Sequence, residues 1–218
     1  VIKKKAKVPC DLKLIRKQLL KKDSLLEYID PKTDFTFRKS ISNIAKGSLS
    51  KPNFSLFLSH LIQWQSYSTV LETGTSLGYN SLFLSKTTQA KILTIEGSIK
   101  IYEFANEFHV NHESQNINVV YGNIHEILSD NISLIKPDLI FLDADHQSNS
   151  ILNQIECIKR THIPKCIVIH DIYWSPDMLK AWEVIVADQY FSLTIDIFEA
   201  GIIFPVYGGV KQHFNIRF

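Results

Sequence analysis

The sequence lacks the features that would assign it to a membrane, an oxidising compartment or a repeat architecture. Its 218 residues hold three cysteines, Cys10, Cys157 and Cys166, and no two of them have CxxC spacing. That excludes a paired redox motif or a disulfide framework, and Cys157 and Cys166, set among apolar residues, read as reduced core thiols. No apolar run approaches the roughly 20 residues needed to cross a bilayer. The basic start lacks the apolar stretch of a secretory signal, so the expected location is cytoplasmic, with no membrane partner. There is no internal repeat and no low-complexity tract. What remains, 45% hydrophobic and 21% charged residues, fits a globular chain able to bury a full core.

Charge is uneven. Residues 1–22 carry Lys3, Lys4, Lys5, Lys7, Lys13, Arg16, Lys17, Lys21 and Lys22 against Asp11 alone, a net +8 on a chain of net +2. Such an arm could contact nucleic acid, as in an RNA-modifying enzyme. No aromatic is interleaved with the early lysines as a base-stacking platform requires. The favoured reading is an amphipathic helix with Leu12, Ile15 and Leu19 as its apolar stripe and a solvated basic face.

From residue 23 to 68 the apolar spacing reads as helical, with a break at Asp30-Pro31, a helical interval at Phe37, Ile41 and Ile44, and Pro52 opening a further helix. Residues 1–65 are therefore expected to form a helical cap or lid segment. A domain over 66–218 would follow. There, strands at 69–71, 91–95, 117–121, 138–142 and 166–169 alternate with helices at 79–85, 99–112, 150–160 and 176–187, with a short turn at 125–128. This alternation predicts a parallel sheet covered on both faces. The strand-like runs at 191–198, 201–204 and 213–218 are closely linked and predict an antiparallel hairpin at one edge.

The chemistry-bearing residues fall at the ends of the strands, where open α/β sheets bind ligands. They are Glu72, Gly74 and Gly78 after the first strand, Glu96 after the second, and Gly122 and Asn123 after the third. Asp143 and Asp145 follow the fourth, and His170 and Asp171 the fifth. Glu96 suits a ribose, because a carboxylate accepts two hydrogen bonds from a vicinal diol. A pyrophosphate is cradled by neutral backbone N–H groups, and Glu72 would repel it. The pattern Glu-x-Gly-x-x-x-Gly instead predicts a cofactor with a ribose and an amino-acid end but no phosphate.

On these residues the chain resembles the class I S-adenosylmethionine-dependent methyltransferases, more narrowly the catechol and caffeoyl-CoA O-methyltransferase branch. The carriers are Leu71 to Tyr79, Thr94-Ile95-Glu96, Gly122-Asn123, Phe141-Leu142-Asp143-Ala144-Asp145 and His170-Asp171. The resemblance implies an α/β, Rossmann-like doubly wound, mostly parallel sheet with a C-terminal antiparallel hairpin and the N-terminal helical cap. It implies that S-adenosylmethionine binds at Glu72, Gly74, Ser76, Gly78, Asn80, Glu96, Gly122, Asn123, Ile124, Asp143 and Asp145. Family members hold Mg²⁺ or a similar ion through two aspartates and an asparagine. Asp143 and Asp171 match the aspartates, whereas Ile172 stands where the asparagine would be. Asp143, His146 and His170 are the candidate general bases. Tyr173, Trp174 and Trp182 are candidate walls for a small, aromatic hydroxyl acceptor. The resemblance also implies a homodimer. The alternative is a protein that binds S-adenosylmethionine or an NAD-like nucleotide without transfer.

Overall fold

The computed structural model describes residues 7–30, 33 and 35–217. Lys3, Lys4 and Lys5 of the basic arm, Pro31 and Phe218 lie outside the described residues. The chain runs α1 (Cys10–Leu19), β1 (Leu25–Ile29), β2 (Thr36–Ser40), α2 (Ile41–Ser48) and α3 (Pro52–Trp64). It continues β3 (Thr69–Thr73), α4 (Tyr79–Thr87), β4 (Lys91–Glu96), α5 (Ile99–Asn111), β5 (Ile117–Tyr121), α6 (Ile124–Ile135) and β6 (Leu139–Leu142). It ends α7 (Ser148–Thr161), β7 (Cys166–His170), α8 (Pro176–Ala187), β8 (Leu193–Asp196), β9 (Ala200–Phe204) and β10 (Gln212–Asn215).

Eight strands form one sheet in the order β10-β8-β9-β7-β6-β3-β4-β5. All neighbours are parallel except that β9 lies antiparallel between β7 and β8. The expected α/β class, the mostly parallel sheet and the closing hairpin are all present, with β10 added parallel to β8. β3 is flanked by β4 on one side and β6 on the other, so the strand order reverses there. A crevice at such a reversal is where doubly wound sheets place ligands.

Period-two alternation sorts the strand residues onto two helical layers. Ile140 and Leu142 of β6 face a cluster with Leu128, Ile132, Ile151, Ile155, Ile158, Trp182 and Ile185 of α6 to α8. Leu139 and Phe141 face the opposite cluster, with Phe54, Leu58, Leu61 and Ile62 of α3 and Leu84 of α4. Burying each such side chain stabilises the fold by roughly 1.5–3 kcal/mol. Cys166 is buried in this second layer, Cys157 is half-buried and Cys10 is exposed, all as free thiols.

The segment before β3 differs from the expected helical cap in two ways. First, β1 and β2 form an antiparallel hairpin, with Tyr28 opposite Phe37 in register and their rings stacked 5.8 Å apart. β1 alternates between exposed and half-buried positions, but its outward residues Leu25 and Ile29 are also apolar, and their four-residue spacing imitates a helix. The Phe37, Ile41, Ile44 interval is thereby split between β2 and α2. Second, α3 is packed in the sheet's own core, so the apolar core does not divide at residue 65.

The remainder of the segment forms an outer layer on α4 and α5. Leu12 and Leu19 of α1, with Ile41 and Ile44 of α2, bury against Leu77, Tyr79, Phe83 and Phe108. Ile15 packs at the edge of the same cluster, so the stripe read from the sequence is the buried face of α1. No helix among the described residues is long and apolar enough to cross a membrane.

Candidate active site

The turn after β3 is shaped by close backbone approach. Gly74 has φ +88, and a Cβ there would lie 2.6 Å from the Asp143 carbonyl oxygen. Gly78 caps α4 with φ +77, and its Cβ would meet Nε2 of His109 at 2.6 Å. Only glycine fits either position, and each lets a neighbouring element close on the turn. Ser76 between them also has positive φ, and its hydroxyl bonds the Ser48 hydroxyl at 2.7 Å, tying α2 to the turn.

Glu72 is not offered to solvent. Its carboxylate is 1% exposed and accepts from Asn80 Nδ2 and Thr94 Oγ1, each at 2.7 Å. Asn80 in turn accepts from Ser55 Oγ at 2.8 Å. Burial pushes the Glu72 carboxyl up to about 7 despite these donors. The sequence reading makes Glu72 and Asn80 ligand contacts. In the fold they are a buried bracket joining the end of β3 to α4 and β4, because the β3 pleat turns position 72 inward.

Glu96 is placed differently. Its two oxygens accept from the backbone N–H groups of Ser76 and Ser98, each at 2.9 Å. Burial raises its pKa, opposed by these N–H groups and that of Gly97. It lies at a cavity of about 310 Å³ with Gly74, Gly97, Asn123, Ile124, His125, Ala144 and Asp145. Five of the predicted cofactor residues, Gly74, Glu96, Asn123, Ile124 and Asp145, thus meet at one opening drawn from four strand ends. Gly122 is outside that lining, and its N–H donates to the Glu96 carbonyl at 3.0 Å. Asn123 Oδ1 caps α6 through the His125 N–H at 3.0 Å.

Beside this cavity the ends of β6 and β7 bring Asp143, His146, His170 and Asp171 together, with one donor atom from each within 4.8 Å of all the others. His170 Nδ1 lies 2.9 Å from Asp143 Oδ1, and its ring packs 4.5 Å from Phe54. His146 Nε2 lies 3.6 Å from Asp143 and 3.5 Å from Asp171. Burial alone would lower the His146 pKa, but the two carboxylates outweigh it and raise it to about 9. The same contest raises His170, whereas Asp171 is held below the usual carboxylate range by the two histidines against its own burial. At neutral pH His146 therefore carries its proton, which removes it as a free general base.

Ile172 does not face this cluster. It is fully buried among Ile169, Met178 and Trp182 in the sheet core, so position 172 could not supply a ligand to the cluster whatever its identity. An all-oxygen Mg²⁺ site of two aspartates and an asparagine does not fit these residues. Trp182 is likewise a core residue, 3% exposed, and not the pocket wall expected.

A second cavity, about 500 Å³, is lined by Asp171 together with Lys51, Phe54, Phe57, Tyr173, Trp174 and Phe198, among others. Trp174 also lies tilted against His146, with ring centroids 5.4 Å apart. Tyr173 and Trp174 were legible as pocket candidates. Phe54, Phe57 and Phe198 were not, since they reach the cavity from α3 and the β8–β9 turn, and helical spacing alone marks Phe54 and Phe57 as core.

Residues 71–172 match the family model described as a methyltransferase domain. Over that span the chain is similar to this family. The matched span starts in β3 and ends after β7, so it holds both the glycine turn and the four-residue cluster. A search of curated proteins finds no match. Among solved structures, the domain is similar to the SAH-bound methyltransferase PaMTH1 of Podospora anserina, at 16% identity and TM-score 0.69, covering 92% of this chain and 89% of that one. It is also similar to an O-methyltransferase from Bacillus cereus in complex with SAH, at 23% identity and TM-score 0.59, over 74% and 84%. The O-methyltransferase TomG of Streptomyces achromogenes, involved in tomaymycin synthesis and in complex with SAM, matches at 16% identity and TM-score 0.60, over 73% and 82%. At these identities the likeness shows a shared fold.

Proposed function

We propose that this protein is an S-adenosylmethionine-dependent O-methyltransferase acting on a small acceptor that presents a hydroxyl on an aromatic ring. The observation that carries the reading is that the Asp143/His146/His170/Asp171 cluster adjoins two openings. Ala144 and Asp145, next to Asp143 in the chain, line the cavity with Gly74, Glu96 and Asn123, and Asp171 lines the aromatic cavity with Phe54, Phe57, Tyr173, Trp174 and Phe198. Three structures similar in fold are in complex with SAM or SAH.

In this reading Glu96 takes the ribose hydroxyls, its carboxylate already fixed by two backbone N–H groups. Gly74 leaves room for the methionine end, and Glu72 and Asn80 hold that turn in place from beneath. Asn123, Ile124 and Asp145 border the base and the rest of the donor. The donor supplies an electrophilic methyl carbon on a sulfonium. The chain's task is then to align an oxygen in line with it and to manage that oxygen's proton. The aromatic walls orient the acceptor ring. The hydroxyl proton passes to the Asp171 carboxylate, which lines the aromatic cavity; protonated His146, held by Asp143 and Asp171, favours the resulting oxyanion electrostatically, and the O–CH₃ bond forms as the C–S bond breaks to leave neutral S-adenosylhomocysteine.

Calorimetry on the full chain tests the donor site. S-adenosylhomocysteine is expected to bind, and Glu96→Ala should weaken it by about ten- to a hundredfold, the loss typical of hydrogen bonds to a charged group. Binding of NAD without S-adenosylhomocysteine would overturn the reading. Transfer of label from S-adenosylmethionine to a panel of diphenols tests the acceptor class.

A further inference from the structure

We infer that α1 and the β1–β2 hairpin form a docking surface for a bilayer of anionic phospholipid. The inference goes beyond the donor and acceptor sites and is separable from them.

Charge carries it. Residues 1–22 hold a net +8 on a chain of net +2, so the remaining residues sum to −6. The fold leaves this surplus facing solvent. Leu12 and Leu19 bury the apolar stripe of α1, and Lys13, Lys17 and Lys21 are exposed on the opposite side at helical spacing. Lys22, Arg38 and Lys39 are exposed beside them in the chain or on the hairpin. Among the described residues, none of these six cations forms an ion pair; Lys22 and Lys39 lie over the rings of Phe104 and Phe37 instead. The body is different. There Lys100 pairs with Glu103, Lys159 with Glu156 and Asp188, Lys165 with Asp138, and Arg217 with Asp196.

A second observation is the apolar surface set among these cations. Leu14, 56% exposed, shares the outer side of α1 with Lys13 and Lys17. The hairpin turns Leu25 and Ile29 outward, and Phe35 is exposed beside its turn. Gln18, Lys22 and Leu25 line one cavity of about 310 Å³, so the end of α1 and the start of β1 border the same opening.

Together these features select the partner. Each cation near an anionic leaflet adds roughly fivefold to affinity. Stable attachment to a bilayer takes a second, apolar signal, which the exposed leucines, isoleucine and phenylalanine supply. RNA held on a single-stranded platform is stacked on aromatic rings, and Phe35 is the only exposed aromatic among the described residues of this layer. Protein interfaces are depleted of lysine and centred on Trp, Tyr and Arg, whereas this surface combines lysine with aliphatic side chains. The acidic remainder is repelled by the same leaflet, which orients the chain with α1 toward it. The expectation of no membrane partner came from the lack of a spanning segment, and a surface-bound layer needs none.

The test is co-sedimentation of the chain with phosphatidylcholine vesicles, pure or containing about 30% phosphatidylglycerol, in about 0.1 M NaCl. Binding is expected to the anionic vesicles alone, falling more than about tenfold at about 0.5 M NaCl. The triple variant Lys13→Gln/Lys17→Gln/Lys21→Gln should bind roughly 100-fold more weakly. Leu14→Gln should weaken binding severalfold. Circular dichroism checks that each variant is folded. The inference is overturned if the anionic vesicles are not bound, if pure phosphatidylcholine binds equally, or if the folded triple variant binds unchanged. It is also overturned if a single-stranded RNA of about 20 nucleotides binds more tightly than the vesicles through the same lysines. The vesicle assay contains neither donor nor acceptor, and S-adenosylhomocysteine calorimetry contains no lipid, so either proposal can fail without the other.

Discussion

Glu72→Gln isolates the energetic consequence of placing a carboxyl in the bracket beneath the glycine turn. Folded Glu72 holds its proton to about pH 7, displaced from 4.5 by burial against the donors Asn80 and Thr94. The folded pKa is the higher one, so the folded state binds the extra proton. The associated stability is complete below pH 4.5, where the unfolded chain is also protonated, and is lost as the pH rises to about 7. A displacement of that size corresponds to about 3 kcal/mol. The glutamine variant keeps an acceptor for Asn80 Nδ2. Its NH₂ meets Thr94 Oγ1, which can accept it by turning its own proton to Thr75 Oγ1, 2.7 Å away. The variant therefore lacks the pH-dependent term without leaving an orphaned donor. Urea denaturation of both proteins from pH 4.5 to 8, without donor, should show wild type losing about 3 kcal/mol relative to the variant across that range. For a chain of this size that is a relative melting-temperature change of roughly 6–12 °C. A difference that stays flat with pH would refute the reasoning, because every other titrating group is common to both proteins.

Other consequences follow from the same geometry. Gly74→Ala, with φ +88 and a Cβ 2.6 Å from the Asp143 carbonyl, should lose at least about 2 kcal/mol in urea denaturation and weaken S-adenosylhomocysteine binding. Ile172→Asn would bury an amide among Ile169, Met178 and Trp182 and should lose about 4 kcal/mol without strengthening Mg²⁺ binding by calorimetry. Trp174→Ala removes an exposed wall of the aromatic cavity, so it should raise the acceptor KM severalfold while S-adenosylhomocysteine affinity stays unchanged.

The sequence by itself determined the alternation of strands and helices from Thr69 to Ala187, except that α6 was legible only as a short turn at 125–128, because buried strands and amphipathic helices differ in period and Gly74 and Gly78 punctuate the first turn. It also determined that Glu96, Asn123, Asp145, Asp143 and Asp171 share one edge, since a parallel sheet delivers every strand end to the same side. It could not distinguish a hairpin from a helix over Leu25 to Ser40. That segment is at best half-buried on both strands, and in β1 the outward Leu25 and Ile29 are as apolar as the inward Leu26 and Tyr28. Only the tertiary structure decided which way each polar side chain turns at the shared edge. Glu72 goes inward to Asn80 and Thr94, Glu96 toward the cavity, and Ile172 into the core. His146 and His170, 24 residues apart in the chain, meet across the two aspartates. The physical reason is that periodicity assigns a residue to an edge, whereas its direction and partners depend on the neighbouring strands and the helices packed over them.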